Sequence, residues 1–323
     1  MFEVTTHNLY FHDQSSIFSL DSFQDLLCTG GGDGVARLWK IESSESSSTG
    51  STFLEYFTAL DSPIKISYLS DLHTHSRTVN CVRFSRNGDL ASCSDGGKIF
   101  VTLSGKIVSV READGKDCYE LLWIDNFLVA GLSCGTIEVF KTSEQGVCKL
   151  SSLKIHSDTV QGLTYRNTSS LLVSVGKDNL LALMDFNLET GEISKISTNN
   201  LAAYNLASTN RGFYRRISFS KDGLLQLVSC KTNLLINLSH PYRELHWLSK
   251  VGPLDSDTIR VVEDKLTYIV TKKSVYVYEE SNLKGCVENI SFKSTTDATM
   301  CCGILFVSSL DGFISSLKLK NYA

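Results

Sequence analysis

One unit recurs along this chain: a short apolar strand, a Gly/Asp turn and a second apolar strand. It is clearest in Leu27-Cys28-Thr29-Gly30-Gly31-Gly32-Asp33-Gly34-Val35-Ala36-Arg37-Leu38-Trp39. Three times a His precedes the turn Asp: His12 with Asp33, His75 with Asp95, and His156 with Asp178, at separations of 21, 20 and 22 residues. A large apolar residue follows six positions after the turn residue, at Trp39, Val101 and Met184, and at Leu317 after Asp311. A unit of roughly 40 to 45 residues built this way cannot bury both of its faces alone, so it has to stack on copies of itself.

That pattern is the signature of WD-repeat blades, each a four-stranded antiparallel sheet, and the 323 residues accommodate seven of them as a single all-β propeller domain spanning 1–323. Alternation and turn signals place blade 1 at about Ile17 to Phe57, with a Ser-rich loop from Ser43 to Ser51 before its outer strand. Blade 2 covers Thr78 to Arg111, blade 3 Tyr119 to Lys154, and blade 4 Thr159 to Ile196. After a connection from Ser197 to Gly212, blade 5 runs from Phe213 to Trp247 and blade 6 from Thr258 to Phe292. Blade 7 has three strands, the last at Ser315-Ser316-Leu317-Lys318-Leu319. Phe2 to Tyr10 is predicted to supply the fourth, closing the ring and removing two exposed sheet edges. The turn Asp is replaced by Cys134 in blade 3 and by Lys272 in blade 6, and blade 5 has no clear turn Asp.

Composition narrows the function classes. No apolar run approaches the roughly 18 residues of a membrane span, and the start, Met1-Phe2-Glu3-Val4-Thr5-Thr6-His7, has neither the basic nor the apolar region of a secretory signal, so a soluble protein with reduced thiols is expected. The ten cysteines include no C-x-x-C pair, and Cys28, Cys81, Cys93, Cys230 and Cys301 fall inside apolar strands. With 31 Lys and Arg against 35 Asp and Glu, the net charge of −4 is the wrong balance for gripping nucleic acid over a broad face.

No P-loop, nucleophile elbow, H-E-x-x-H or dinucleotide fingerprint is present, so no catalytic, cofactor or metal site is expected. His12, His75 and His156 are read as structural relays with Asp33, Asp95 and Asp178, because one His per blade does not converge on one point. Trp39 completes the set in blade 1. Ser43-Ser44-Glu45-Ser46-Ser47-Ser48 reads as a solvated connector ahead of a phosphorylation target. In Phe213-Tyr214-Arg215-Arg216, alternate residues of a strand point to opposite faces. The two arginines either pair with acidic groups inside the propeller or sit at the rim and contact a partner.

Phe213-Tyr214-Arg215-Arg216-Ile217-Ser218-Phe219-Ser220-Lys221-Asp222-Gly223 resembles the F-F-R-R-x-S-F/I-x-P-D-G stretch of the WD-repeat middle subunits of chromatin assembly factor 1. Similar segments occur in the same order: His12-Asp13-Gln14-Ser15-Ser16-Ile17-Phe18-Ser19-Leu20, then Thr78-Val79-Asn80-Cys81-Val82-Arg83-Phe84-Ser85, and Ser308-Ser309-Leu310-Asp311-Gly312-Phe313. His156-Ser157-Asp158-Thr159-Val160-Gln161-Gly162-Leu163-Thr164-Tyr165 is similar to H-x-x-x-V-Q-G-V-x-W, which HIRA-type histone chaperones share. The resemblance implies a nuclear, non-enzymatic scaffold in a three-subunit histone chaperone that supports deposition of newly made core histones on replicating DNA. Its implied partners are the large subunit, core histones reached directly or through that subunit, and a third WD-repeat subunit. It also marks Phe213, Tyr214, Arg215, Arg216, Val160 and Gln161 as partner contacts. Family members carry a tail with a docking motif for the anti-silencing histone chaperone; this chain ends three residues after Lys320, so that contact is not expected of it. The rival readings are a HIRA-type chaperone and another WD40 adaptor, such as a ubiquitin-ligase substrate receptor.

Overall fold

Second strands that are apolar along their whole length must be covered on both faces, and in the computed structural model of the protein they are. Leu90–Ser94, Phe127–Leu132, Leu171–Gly176 and Ile304–Ser309 are buried throughout, whereas the outer strands Lys106–Arg111 and Gly146–Lys154 are largely half-buried or exposed. The structure describes residues 2–8, 12–43, 64–143, 145–204, 214–229, 234–239, 247–251, 254–280 and 282–319.

These residues form seven four-stranded antiparallel sheets, the blades of a propeller. Six are consecutive in sequence, with first strands Ile17–Phe23, Val79–Phe84, Cys118–Ile124, Val160–Arg166, Ser218–Phe219 and Thr258–Glu263. The seventh combines Thr295–Cys301, Ile304–Ser309 and Phe313–Leu319 with the N-terminal strand Phe2–Asn8, which pairs from Phe2 with Leu319 to Asn8 with Phe313. Closure by the first strand is therefore observed. Two 3-10 turns lie at Asn167–Ser169 and Leu201–Tyr204.

The core lies between blades. Ile17, Leu20, Leu27 and Trp39 of blade 1 pack with Cys301, Ile304, Phe306 and Ile314 of blade 7, and Phe127, Val129 and Val139 of blade 3 pack with Leu172, Met184 and Phe186 of blade 4. A bulge follows the first residue of the inner strand in six blades, between Ile17/Ser19, Val79/Cys81, Cys118/Glu120, Val160/Gly162, Thr258/Arg260 and Thr295/Asp297. The extra residue twists each strand and re-aims the residue after it.

Three expected boundaries shift. The outer strand of blade 1 is Ile64–Thr74 rather than a segment ending at Phe57, so the insertion before it is longer than the Ser-rich loop; Ser43 ends the strand Val35–Ser43, and the rest of that loop lies outside the described residues. The outer strand of blade 4 continues past Ile196 to Asn200. Blade 5 starts its first strand at Ser218 and takes Trp247–Val251 as its outer strand.

Candidate functional site

The blade 1 relay forms a continuous chain of hydrogen bonds. His12 Nδ1 lies 3.1 Å from Asp33 Oδ1, His12 Nε2 2.7 Å from Thr29 Oγ1, and Trp39 Nε1 donates to the same hydroxyl at 2.9 Å. A carboxylate only accepts, so the bond to Asp33 puts the proton on Nδ1 and lets Nε2 accept the Thr29 hydroxyl proton, while Arg37 Nη1, 2.9 Å from the same Nδ1, gives its own proton to the Asp33 carboxylate. In blade 4, His156 Nδ1 meets Asp178 Oδ1 at 3.0 Å and Nε2 meets Ser174 Oγ at 2.8 Å, with Met184 at the Trp position. Burial lowers the pKa of both imidazoles despite the neighbouring carboxylates, so they are neutral.

Blade 2 is different, and the expected pair of His75 with Asp95 is not made. His75 Nε2 bonds Ser92 Oγ at 2.7 Å, while the Asp95 carboxylate accepts Asn80 Nδ2 at 2.8 Å. The cause is a turn one residue out of step. Gly34 N donates to Gly31 O in blade 1 and Gly97 N to Ser94 O in blade 2, so Gly96 holds the place of Asp33 and Asp95 that of Gly32. Gly96 and Gly97 both have positive φ, +81° and +85°, a backbone that disfavours Asp at the relay position. His73 fills the gap from the outer strand of blade 1. Its Nδ1 bonds Ser92 Oγ at 2.6 Å and its Nε2 bonds Thr102 Oγ1 at 2.7 Å, Thr102 standing where blade 1 has Trp39. The blade 6 hairpin is one residue shorter, with Thr271 N donating to Ser274 O at 2.9 Å, so Lys272 and Lys273 are its two turn residues.

At the propeller centre the residues after the bulges meet. Asp297 accepts Ser19 Oγ at 2.8 Å and pairs with Arg260 Nη1 at 2.8 Å, Arg83 Nη1 at 3.1 Å and Arg216 Nη2 at 3.5 Å. Glu120 pairs with Arg83 Nη2 at 3.0 Å and Arg216 Nε at 3.3 Å, and Arg216 Nη1 donates to Thr296 O at 2.5 Å. Burial alone would raise the Asp297 pKa, but Arg216, Arg83 and Arg260 outweigh it and hold the carboxyl below the ordinary carboxylate range. Asp21 goes the other way, raised by burial against the opposing pull of Arg83 and Arg260. Three guanidinium groups thus share a centre with three carboxyls, of which Asp297 and Glu120 pair with them directly while Asp21 accepts the backbone N–H of Phe84 at 2.8 Å.

Of the two alternatives for the arginine pair, Arg216 takes the internal one. It is 3% exposed and Arg215 1%, so neither presents a guanidinium at a rim. Arg215 donates its backbone N–H to Gln161 O at 3.0 Å. The expected alternation of Phe213 to Arg216 on two strand faces does not apply, because the strand begins only at Ser218. Tyr214 is half-buried: its hydroxyl donates to Asn80 Oδ1 at 3.4 Å, and the Arg216 guanidinium lies 4.2 Å from its ring centre. Val160 is fully buried in the core between blades 3 and 4 and Gln161 is 3% exposed, so both lie inside the fold; Phe213 is outside the described residues. Of the residues expected to contact a partner, Arg215, Arg216, Val160 and Gln161 are thus buried and Tyr214 is half-buried.

Sequence reasoning missed Ser19, Arg83, Glu120, Arg260 and Asp297. Their signal was faint but real, since Glu120, Arg260 and Asp297 are each the lone charge near the start of an apolar first strand. Among the described residues no group of His, Cys, Asp or Glu is arranged to hold a metal ion, and no helix is long and apolar enough to cross a membrane. The nine described cysteines are free thiols.

Comparison with known proteins agrees with this architecture. The sequence profile of the WD domain, G-beta repeat, matches residues 3–40 and 66–101. The chain is similar to the B subunit of chromatin assembly factor 1 from Gallus gallus, 23% identical over 99% of this chain and 68% of that protein. It also resembles protein HIR1 of Yarrowia lipolytica, 24% identical over 61% of this chain and 21% of that protein. The B subunits of chromatin assembly factor 1 from two yeasts and from Mus musculus are matched over under half of their own length. The WD40 β-propeller domain of Doa1 superposes with a TM-score of 0.70 at 12% identity, covering 99% of this chain and 96% of that one.

Proposed function

We propose that residues 1–323 act as one non-catalytic WD40 scaffold in a chromatin assembly factor 1-like complex, in the nucleus, supporting deposition of newly made core histones on replicating DNA. The observation that carries this reading is similarity to the B subunit of chromatin assembly factor 1 along 99% of the chain. The centre is compatible with the non-catalytic part of it, since Asp297 and Glu120 are each engaged by arginines of other blades. In this reading the large subunit of the complex is the direct partner, histones are reached directly or through it, and a third WD-repeat subunit completes the assembly. DNA affinity of the chain alone stays within the non-specific range of roughly 10⁻⁴ to 10⁻⁶ M, since a net charge of −4 neutralises few phosphates.

The similarity to HIR1 proteins supports a second reading, a HIRA-type chaperone. Co-purification of the tagged chain with candidate large-subunit and histone partners, each with and without the other, separates the two. Stable capture of the large subunit of chromatin assembly factor 1 is the expected result. Capture of HIRA-complex subunits in its place would transfer the chain to the second reading, and capture of neither would remove both.

A further inference from the structure

Phe292 is 89% exposed, more than any other large apolar residue described; the next, Ile107 and Leu283, are aliphatic and 54% exposed. It lies in the connection between the outer strand of blade 6, Asn282–Val287, and the inner strand of blade 7, Thr295–Cys301. The connection is held firmly. The backbone N–H groups of Phe292 and Lys293 donate to Asp311 Oδ2 at 2.9 and 3.1 Å, and Ser291 Oγ donates to Lys293 O at 2.6 Å. On the flanks, Ile290 N donates to Lys273 O at 2.9 Å and Thr295 N to Lys272 O at 3.0 Å. The Phe292 ring stands edge-on to Phe313, with centroids 6.1 Å apart.

Blade 4 makes the same bond from the same place, Ser157 N to Asp178 Oδ2 at 2.9 Å. The fold thus needs only a backbone N–H at this position, and a serine serves it. The turn itself does not require an aromatic ring here, yet apart from its edge contact with Phe313 the ring is presented to solvent on a braced loop. Burying such a ring stabilises a complex, and its fixed loop reduces the ordering cost of binding.

The surrounding charge selects the occupant. Lys293 and Lys273 are exposed, and among the described residues neither is paired with a carboxylate. Lys272 pairs with Asp257 at 2.6 Å, and Asp311 spends its oxygens on the loop backbone, on Phe313 N and on Ser309. Glu288, exposed at the start of the connection, is the one opposing charge on the loop itself. We propose that Phe292, flanked by Lys273 and Lys293, is a docking anchor for an acidic segment of a partner protein that carries an aliphatic or aromatic side chain beside its carboxylates. Two unpaired lysines are too few to track a phosphate backbone, whose binding scales with the number of phosphates neutralised. They also repel a basic segment such as a histone tail. The inference does not depend on which complex the chain joins.

The test uses the purified full chain and four probes in fluorescence anisotropy: a short Glu/Asp-rich peptide with a central Phe, its Phe→Ala counterpart, a Lys-rich peptide with the same Phe, and duplex DNA. Saturable binding of the first peptide is expected, weakened at least about tenfold in the Ala peptide, in Phe292→Ala and in the Lys273→Glu/Lys293→Glu double variant. Thermal melting should be unchanged in Phe292→Ala, and Phe292→Trp should retain binding. Equal affinity of Phe292→Ala, tighter binding of the Lys-rich peptide, or DNA binding that needs Phe292 would each overturn the proposal. In cells, a photo-crosslinking phenylalanine at position 292 should capture an acidic, apolar-bearing segment, read from the cross-linked peptide. A cross-link to a basic segment, to a second copy of this chain, or to nothing would refute it.

Discussion

Arg83 Nη1 lies 3.1 Å from Asp297 Oδ2, although 214 residues of chain separate the two. The contact exists only because the ring is closed, since blade 2 and blade 7 meet at the centre through blade 1, whose Ser19 also donates to Asp297. Polar groups from six of the seven blades, at Ser19, Arg83, Glu120, Arg216, Arg260 and Asp297, join in this cluster. Buried ion pairs contribute modestly to net stability, but removing one member leaves the others uncompensated.

Replacing Asp297 with Ala strands Arg83, Arg216 and Arg260 around an empty carboxylate site, and is expected to cost about 3 to 5 kcal/mol in urea unfolding. The rim charge Asp125, 3.9 Å from Arg86 on an exposed turn, provides a control whose replacement should cost under about 1 kcal/mol. Comparable losses in the two variants would mean that water screens the centre.

The relay prediction contrasts two aspartates that look alike in sequence. Asp33→Ala removes the acceptor for His12 Nδ1 and a partner of Arg37, and should cost roughly 2 kcal/mol. Asp95→Ala leaves His75 on Ser92 and loses one bond from Asn80, so about 1 kcal/mol or less is expected. Denaturant midpoints of the two variants decide the matter, and a larger loss for Asp95 would contradict the assigned turn register.

Why Asp95 misled is a matter of turn geometry. The separation of 20 residues from His75 fits the other two pairs, but the two-glycine turn at Gly96-Gly97 shifts the register by one, and no spacing in sequence reports a φ angle. Blade order, the count of seven and closure by Phe2–Asn8 were legible because they rest on period and on the unpaired last strand. The central cluster was not. Its members come from different blades, and their convergence depends on inner-strand bulges that leave no compositional mark. The Tyr214-Arg215-Arg216 stretch precedes its strand, so strand alternation could not assign it to rim or core until burial was known.

Closure itself is open to test. His7 Nε2 lies 2.9 Å from Ser316 Oγ, and Phe2 packs against the core shared by blades 6 and 7. Deleting residues 1–10 would leave the edge of Phe313–Leu319 unpaired and expose that core. A lowered melting temperature with oligomers in size-exclusion chromatography is expected. A monomer with unchanged melting would show that the strand adds nothing.

Acid sensitivity should come from three imidazoles that have no carboxylate partner. Burial pushes His7 and His73 down to about 4 and, with the nearby His73 and Lys98 adding to it, His75 down to about 3. Each is neutral in the folded protein and takes a proton near pH 6.5 once unfolded, so the unfolded state binds more protons below that pH. Their contribution is fully present above about pH 6.5 and falls by roughly 1.4 kcal/mol per pH unit for each group until the folded value is reached. By pH 5 that is about 2 kcal/mol each. Asp297 enters later, because its stabilisation is lost only below the ordinary carboxylate pKa of 3.8. Urea midpoints at constant ionic strength should therefore drop between pH 7 and pH 5, and His73→Gln with His75→Gln, which keeps hydrogen-bonding groups but cannot titrate, should flatten the slope. A midpoint that holds steady from pH 7 to pH 5 in the unmodified chain would show that these histidines are protonated in place.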